Sequence, residues 1–184
     1  MTAVCIPWAA DILHLWFHRL RPAQWFGRSD AVDALLAMRF GKRLRAFSHR
    51  PAKDFLRDTA TARAAILLFD QCPRNLYRGT PKAFATDPLA RALCRAATRK
   101  GWDKRLSLHA AQFLLMPLMH SENRADQALS ARKFTALGNA SITRFARDHA
   151  AMVRRFGRFP HRNDVLGRNS TAAERKAVAA GHSW

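Results

Sequence analysis

Four short segments of this chain concentrate side chains able to hold or transform a charged ligand. The first is Asp70-Gln71-Cys72-Pro73-Arg74-Asn75, with Arg78-Gly79 just beyond it. The second is His120-Ser121-Glu122, followed one turn later by Asp126 and Gln127. The third runs Phe156-Gly157-Arg158-Phe159-Pro160-His161-Arg162-Asn163, and the fourth is Gly167-Arg168-Asn169-Ser170-Thr171. Arg74, Arg78, Arg158, Arg162 and Arg168 fall in turns fixed by proline or glycine, whereas most other basic residues fall on helix faces. A guanidinium held by a rigid turn presents a planar fork of donors, which suits bidentate recognition of phosphate or carboxylate. Helix starts expected at Ser121 and Thr171 add backbone N–H groups with the same preference for anions. In this reading the five arginines hold charge, Asn75, Gln127 and Asn163 fix orientation, and Gln71 and His161 also contact the ligand. Asp70 and Glu122 then orient the arginines or His120.

The same residues are open to other chemistry. His120 or His161 beside Glu122 or Asp70 is sufficient for acid–base catalysis of hydrolysis or phosphoryl transfer on an anionic substrate. No Walker loop, GxSxG elbow or catalytic Cys/His signature accompanies them. A metal would draw on His120, Glu122, Asp126, His161 or Asp70, but there is no HExxH, and the neighbouring arginines oppose a dication. No metal and no cofactor are expected. A further alternative is purely structural: Asp70, Arg74, His120, Glu122, Arg158 and Asn163 as a buried polar network that locks helices together.

The elements that must position these groups read as helices. Trp8 to Arg19 is apolar along one broad face, and Pro22 to Gly27 reads as a loop carrying Trp25 and Phe26. Ser29 is an N-cap for a helix through Phe47 that Gly41 does not end. A third helix begins near Phe55 and stops near Gln71, because Pro73 disfavours helix before it. Thr80-Pro81 and Asp87-Pro88 open two more, the second ending at Gly101. Ser107 caps a helix to about Pro117, and Ser121 one to Gly138. Another runs from Ile142 to Gly157, and Thr171 and Glu174 have capping-box spacing for the last. No strand alternation survives. The expected fold is all-α: antiparallel helical hairpins in one domain spanning 1–184, as a bundle or short α-solenoid. No fixed-period repeat is legible.

Composition bounds the partners. In 184 residues, 32 Lys and Arg face 13 acids, only two of them glutamates, for a net charge of +19. Such a chain attracts polyanions, and Arg19, Arg21, Arg28, Lys42, Arg43, Arg45 and Arg50 crowd the first fifty residues beside Trp25 and Phe47. RNA or DNA binding by phosphate contact and stacking is therefore an alternative to a small anion or an acidic peptide. Cys5, Cys72 and Cys94 lack metal or CxxC spacing and read as reduced, buried thiols. No apolar run reaches a membrane span, and charged residues interrupt the start where a signal peptide would need continuity. The expected compartment is the cytoplasm.

The string Asp70 to Thr80, the His120-Ser121-Glu122 triplet, Asp126-Gln127 and the run from Phe156 through Ser170-Thr171 resemble the signatures of one bacterial family, domain of unknown function 924. Trp16-Phe17, Trp25-Phe26 and Asp33 resemble its opening. The resemblance covers about 12–174, leaving a tail at 175–184. It implies an all-helical, tetratricopeptide-like fold and no established activity. Cys72 and Val32 stand where that family usually has phenylalanine, and the stretch from Phe47 to Ala62 is shorter than usual.

Overall fold

A computed structural model describes residues 6–182, and all regular structure among them is helical. Cys5 and the end of the tail, 183–184, lie outside the described residues. Packing divides the described chain into two units, 6–78 with 82–117, and 79–81 with 118–182.

The first unit begins with α1, Pro7–His14, which continues as a π-helical segment, Leu15–Arg19. Then follow α2, Pro22–Phe26, and the long α3, Asp30–Phe47, capped by the Ser29 hydroxyl on the Val32 N–H. The Pro22–Gly27 stretch is thus a helical turn rather than a loop. Pro22 sits in its first turn, where its missing N–H costs nothing. That turn swings Trp25 inward. Its indole Nε1 donates to the Trp16 carbonyl at 2.8 Å, and its ring meets Phe113 edge-on at 5.2 Å. Phe47 packs on Trp8 and Phe55. The stacking face expected at Trp25 is therefore buried, and the one at Phe47 is half-buried and already occupied by aromatic neighbours.

The third helix departs most from expectation. It is capped by Asp58 as α4, Thr59–Ile66, and does not stop at Gln71. A π-helical segment, Leu67–Gln71, widens the turn, and the chain continues as α5, Cys72–Leu76, through Pro73. Pro73 falls in the first turn of that segment, and the Phe69 carbonyl four residues before it accepts from the Thr86 hydroxyl at 2.6 Å in place of the N–H that proline lacks. Asp70 and Gln71 consequently sit inside a buried helical run rather than on a loop. A 3-10 turn, Pro81–Phe84, leads to α6, Asp87–Arg99. Gly101, at φ +69°, reverses the chain into a 3-10 turn, Trp102–Arg105, before α7, Leu108–Met119. The last of these runs past Pro117; every residue from Ala110 to Met119 is buried, and that packing outweighs one lost hydrogen bond.

Cys72 is fully buried beside Pro73, and burial pushes its thiol up to about 12. The thiolate that attacks electrophiles is therefore not populated in the folded chain. Iodoacetamide is expected to leave the Cys72 peptide unmodified in the native protein and to label it fully in urea, as read by peptide mass mapping. Native labelling at that peptide would sink this reading.

The second unit contains α8, Arg124–Ala136, and α9, Ala140–Phe156, joined by a tight connection and packed on each other. Ser121 is not the cap of α8. Asn123 accepts from the Ala125 and Asp126 N–H groups, and the Ser121 hydroxyl instead donates to Asp126 at 2.8 Å. Asn123 lies one residue before the helix, where an Asx side chain reaches these donors. Gly157, at φ +73°, ends α9; Phe159 then packs with Met152, Val153 and Ala177 and leads into a 3-10 turn, Pro160–Arg162. The Thr171–Glu174 capping box opens α10, Ala172–Ala179, as the spacing predicts.

Candidate functional site

The predicted polar residues fall into two groups, one in each unit. In the first unit the π segment turns Asp70 and Gln71 inward, and both are buried. Arg74, one helical turn on, bridges two carboxylates. Its Nη1 lies 3.5 Å from Asp70 Oδ1, and its fork grips Asp87 at 2.8 and 3.0 Å. Burial by itself would lower the Arg74 pKa, but Asp70 and Asp87 outweigh it and raise it. Gln71 donates to Asp70, and Asn75 donates to the Gln71 carbonyl at 3.0 Å. Arg78 pairs with Asp33 of α3 at 3.1 Å and also reaches the Asn75 amide oxygen.

In the second unit the remaining three segments come together. Both glutamates of the chain are hubs there. Glu122 accepts from Arg168 Nη1 at 2.9 and 3.0 Å, and from the Phe159 N–H at 2.9 Å. Burial works to raise the Glu122 pKa, yet Arg168, the Phe159 N–H and the nearby Arg162 charge hold it below the ordinary range. Glu174 accepts the Arg158 fork at 2.7 and 3.0 Å and the Thr171 N–H at 2.8 Å, which hold its carboxyl down at about 2. Gln127 donates to the Met119 and Ser121 carbonyls at 2.7 and 2.6 Å, closing the turn that carries His120. Asn163 is fully buried and donates to Ser170 at 3.0 Å.

Two imidazoles flank Phe159, and a third lies beyond one of them. The Phe159 ring is 5.5 Å from His149 and 5.7 Å from His161, and Arg162 lies over it at 4.6 Å. His120 is 6.4 Å from His149. Burial, then the His120 charge, pushes His149 down to about 3, so it is neutral, with Nδ1–H donating to the Phe145 carbonyl at 2.8 Å. Among the described residues no group of three His, Cys, Asp or Glu side chains has metal-holding geometry.

These segments carry a family pattern as well as a geometry. A model of the bacterial proteins of unknown function termed DUF924 matches residues 12–182. The chain belongs to this family. A solved structure of a protein of unknown function from Agrobacterium tumefaciens is similar to it at 36% identity, with a TM-score of 0.88 over 94% of this chain and 97% of that one. No curated protein matches.

In this DUF924 chain the motif arginines Arg74, Arg78, Arg158 and Arg168 each hold a carboxylate of the chain itself. Reasoning from sequence has Glu122 orient arginines without saying which, and it misses Asp33, Asp87 and Glu174 as partners. Asp33 precedes Arg78 by 45 residues and Glu122 precedes Arg168 by 46, distances at which no spacing rule operates. Glu174 was legible only as a cap. His149 was hidden by its place on the apolar stripe of α9, where a histidine looks like core.

The low Glu174 carboxyl has a measurable consequence. Its folded value, about 2, lies below the ordinary 4.5. The stability it contributes is therefore complete above 4.5 and disappears as pH falls toward 2. Thermal melts across this window are expected to fall more steeply for the native chain than for Glu174→Gln. Parallel profiles would remove Glu174 from the acid limb.

Proposed function

We propose that this DUF924 chain is a helical binding protein for an anionic ligand, a phosphorylated small molecule or an acidic peptide end. One observation carries the reading: most of the chain's carboxylates are engaged by arginines, among them the motif arginines, within a chain of +19. The cations outside those pairs leave a strong positive field for a partner to neutralise. In this reading Arg74, Arg78, Arg158 and Arg168 act as scaffold. A guanidinium already forked onto a carboxylate would have to exchange one anion for another, with no net gain of charge pairing. The same reading takes the hairpins as tetratricopeptide-like and the protein as bacterial and cytoplasmic. Two buried, free cysteines are in keeping with a reducing compartment, and no described helix is long and apolar enough to cross a membrane.

The test is calorimetric titration of the full chain with pyrophosphate and citrate at low salt and at about 0.15 M salt. Saturable binding that weakens with salt is expected. Arg158→Ala and Arg168→Ala are expected to lower the melting temperature while leaving that affinity unchanged. No saturable binding up to about 10 mM of either anion would defeat the proposal.

A further inference from the structure

Outside the four motif segments, the first unit contains a cleft of about 560 Å³, within the range that holds small ligands. Its wall comes from two places. Gly101 ends α6 in a left-handed turn, so Lys100, Trp102, Lys104 and Arg105 line one cleft within six residues of sequence. Leu106 and, in the first turn of α4, Thr59 complete the wall. Lys100, Lys104 and Arg105 are exposed, and none of them pairs with a carboxylate among the described residues. The acid of this stretch, Asp103, is only 7% exposed and does not line the cleft. Asp58, next to Thr59, is engaged by Arg57 and by the Thr61 N–H.

We propose that this cleft binds a nucleotide-like ligand, a phosphate ester joined to a planar ring. The proposal rests on the anion-binding reading above and gives it a site. Three cations and no carboxylate in one wall suit a multiply charged group such as a diphosphate better than a single carboxylate. The half-buried indole of Trp102 supplies a flat apolar face of the kind on which nucleobases stack. The Lys100 ammonium lies 5.4 Å from that ring, so charge and planar surface adjoin. The Thr59 hydroxyl adds a partner for a sugar hydroxyl. None of these residues belongs to the family motifs, so the site is separable from the scaffold by mutation.

The test uses the full chain titrated with ADP, pyrophosphate and adenosine by calorimetry, with the Trp102 indole N–H followed by NMR and assigned through Trp102→Phe. ADP is expected to shift that resonance and to bind about tenfold more tightly than pyrophosphate. Adenosine alone is expected not to saturate. Lys104→Ala with Arg105→Ala should weaken both anions by about tenfold or more. Trp102→Ala should bring ADP to the affinity of pyrophosphate, and melting temperatures verify that each variant is folded. If pyrophosphate and ADP bind but the double variant and the Trp102 resonance are unaffected, the cleft is the wrong site while anion binding stands. Equal affinity for ADP and pyrophosphate in the native chain overturns the planar-ring part. Binding of neither overturns both readings.

Discussion

Arg74→Ala is expected to destabilise the protein by about 3–5 kcal/mol, the range for removing one partner of a buried ion pair. The side chain of Asp70 is 1% exposed, and Arg74 is the cation that the π segment brings against it. Without that guanidinium a buried carboxylate must either remain charged in a medium that solvates it poorly or take up a proton. Asp87, on the other side of the fork, loses its two bonds at the same time. Urea unfolding measures the loss. Pairing Arg74→Ala with Asp70→Asn is expected to recover part of it, because the buried side chain at position 70 no longer carries charge, and that recovery separates charge burial from lost packing. A single-variant loss below about 1 kcal/mol would mean that Arg74 behaves as a surface cation and that the bridge is incidental.

Phe159→Ala is expected to cost about 3–5 kcal/mol, as large aromatic truncations in cores do. Phe159 is fully buried against Met152 and Val153, and its backbone N–H is one of the groups that fix Glu122. It also forms the floor under His149, His161 and Arg162. Opening that space admits water to His149, whose burial is the largest reason that it titrates near 3. The His149 pKa, read from ring proton shifts in NMR, is therefore expected to move up toward the ordinary 6.5 in the variant. A destabilised variant with His149 still near 3 would show that the other walls of the cluster, and not Phe159, keep it dry. Thermodynamic loss and titration shift thus test the same packing from two sides.

Much of the helical frame was legible from local chemistry. Ser29, Gly101, Gly157 and the Thr171–Glu174 box act within four residues of themselves, so their effect survives without knowledge of the rest of the chain. Pro73 and Pro117 misled for the opposite reason. Whether a proline ends a helix depends on what surrounds it, a π turn in one case and burial from Ala110 to Met119 in the other. Trp25 looked available for stacking because nothing nearby in sequence announces that the Trp16 carbonyl and Phe113 will receive it.

The candidate residues divide the same way. Their types and their confinement to four segments were set by the sequence alone, as was the large excess of positive charge. Which charges remain unneutralised was decided only by the tertiary structure. Coulombic pairing depends on distance in space, and folding brings Asp33, Glu122 and Glu174 onto arginines 16 to 46 residues away. In the proposed reading that pairing makes Arg78, Arg158 and Arg168 braces. Lys100, Lys104 and Arg105, which no motif distinguishes, are left lining an open cleft with no acid in its wall.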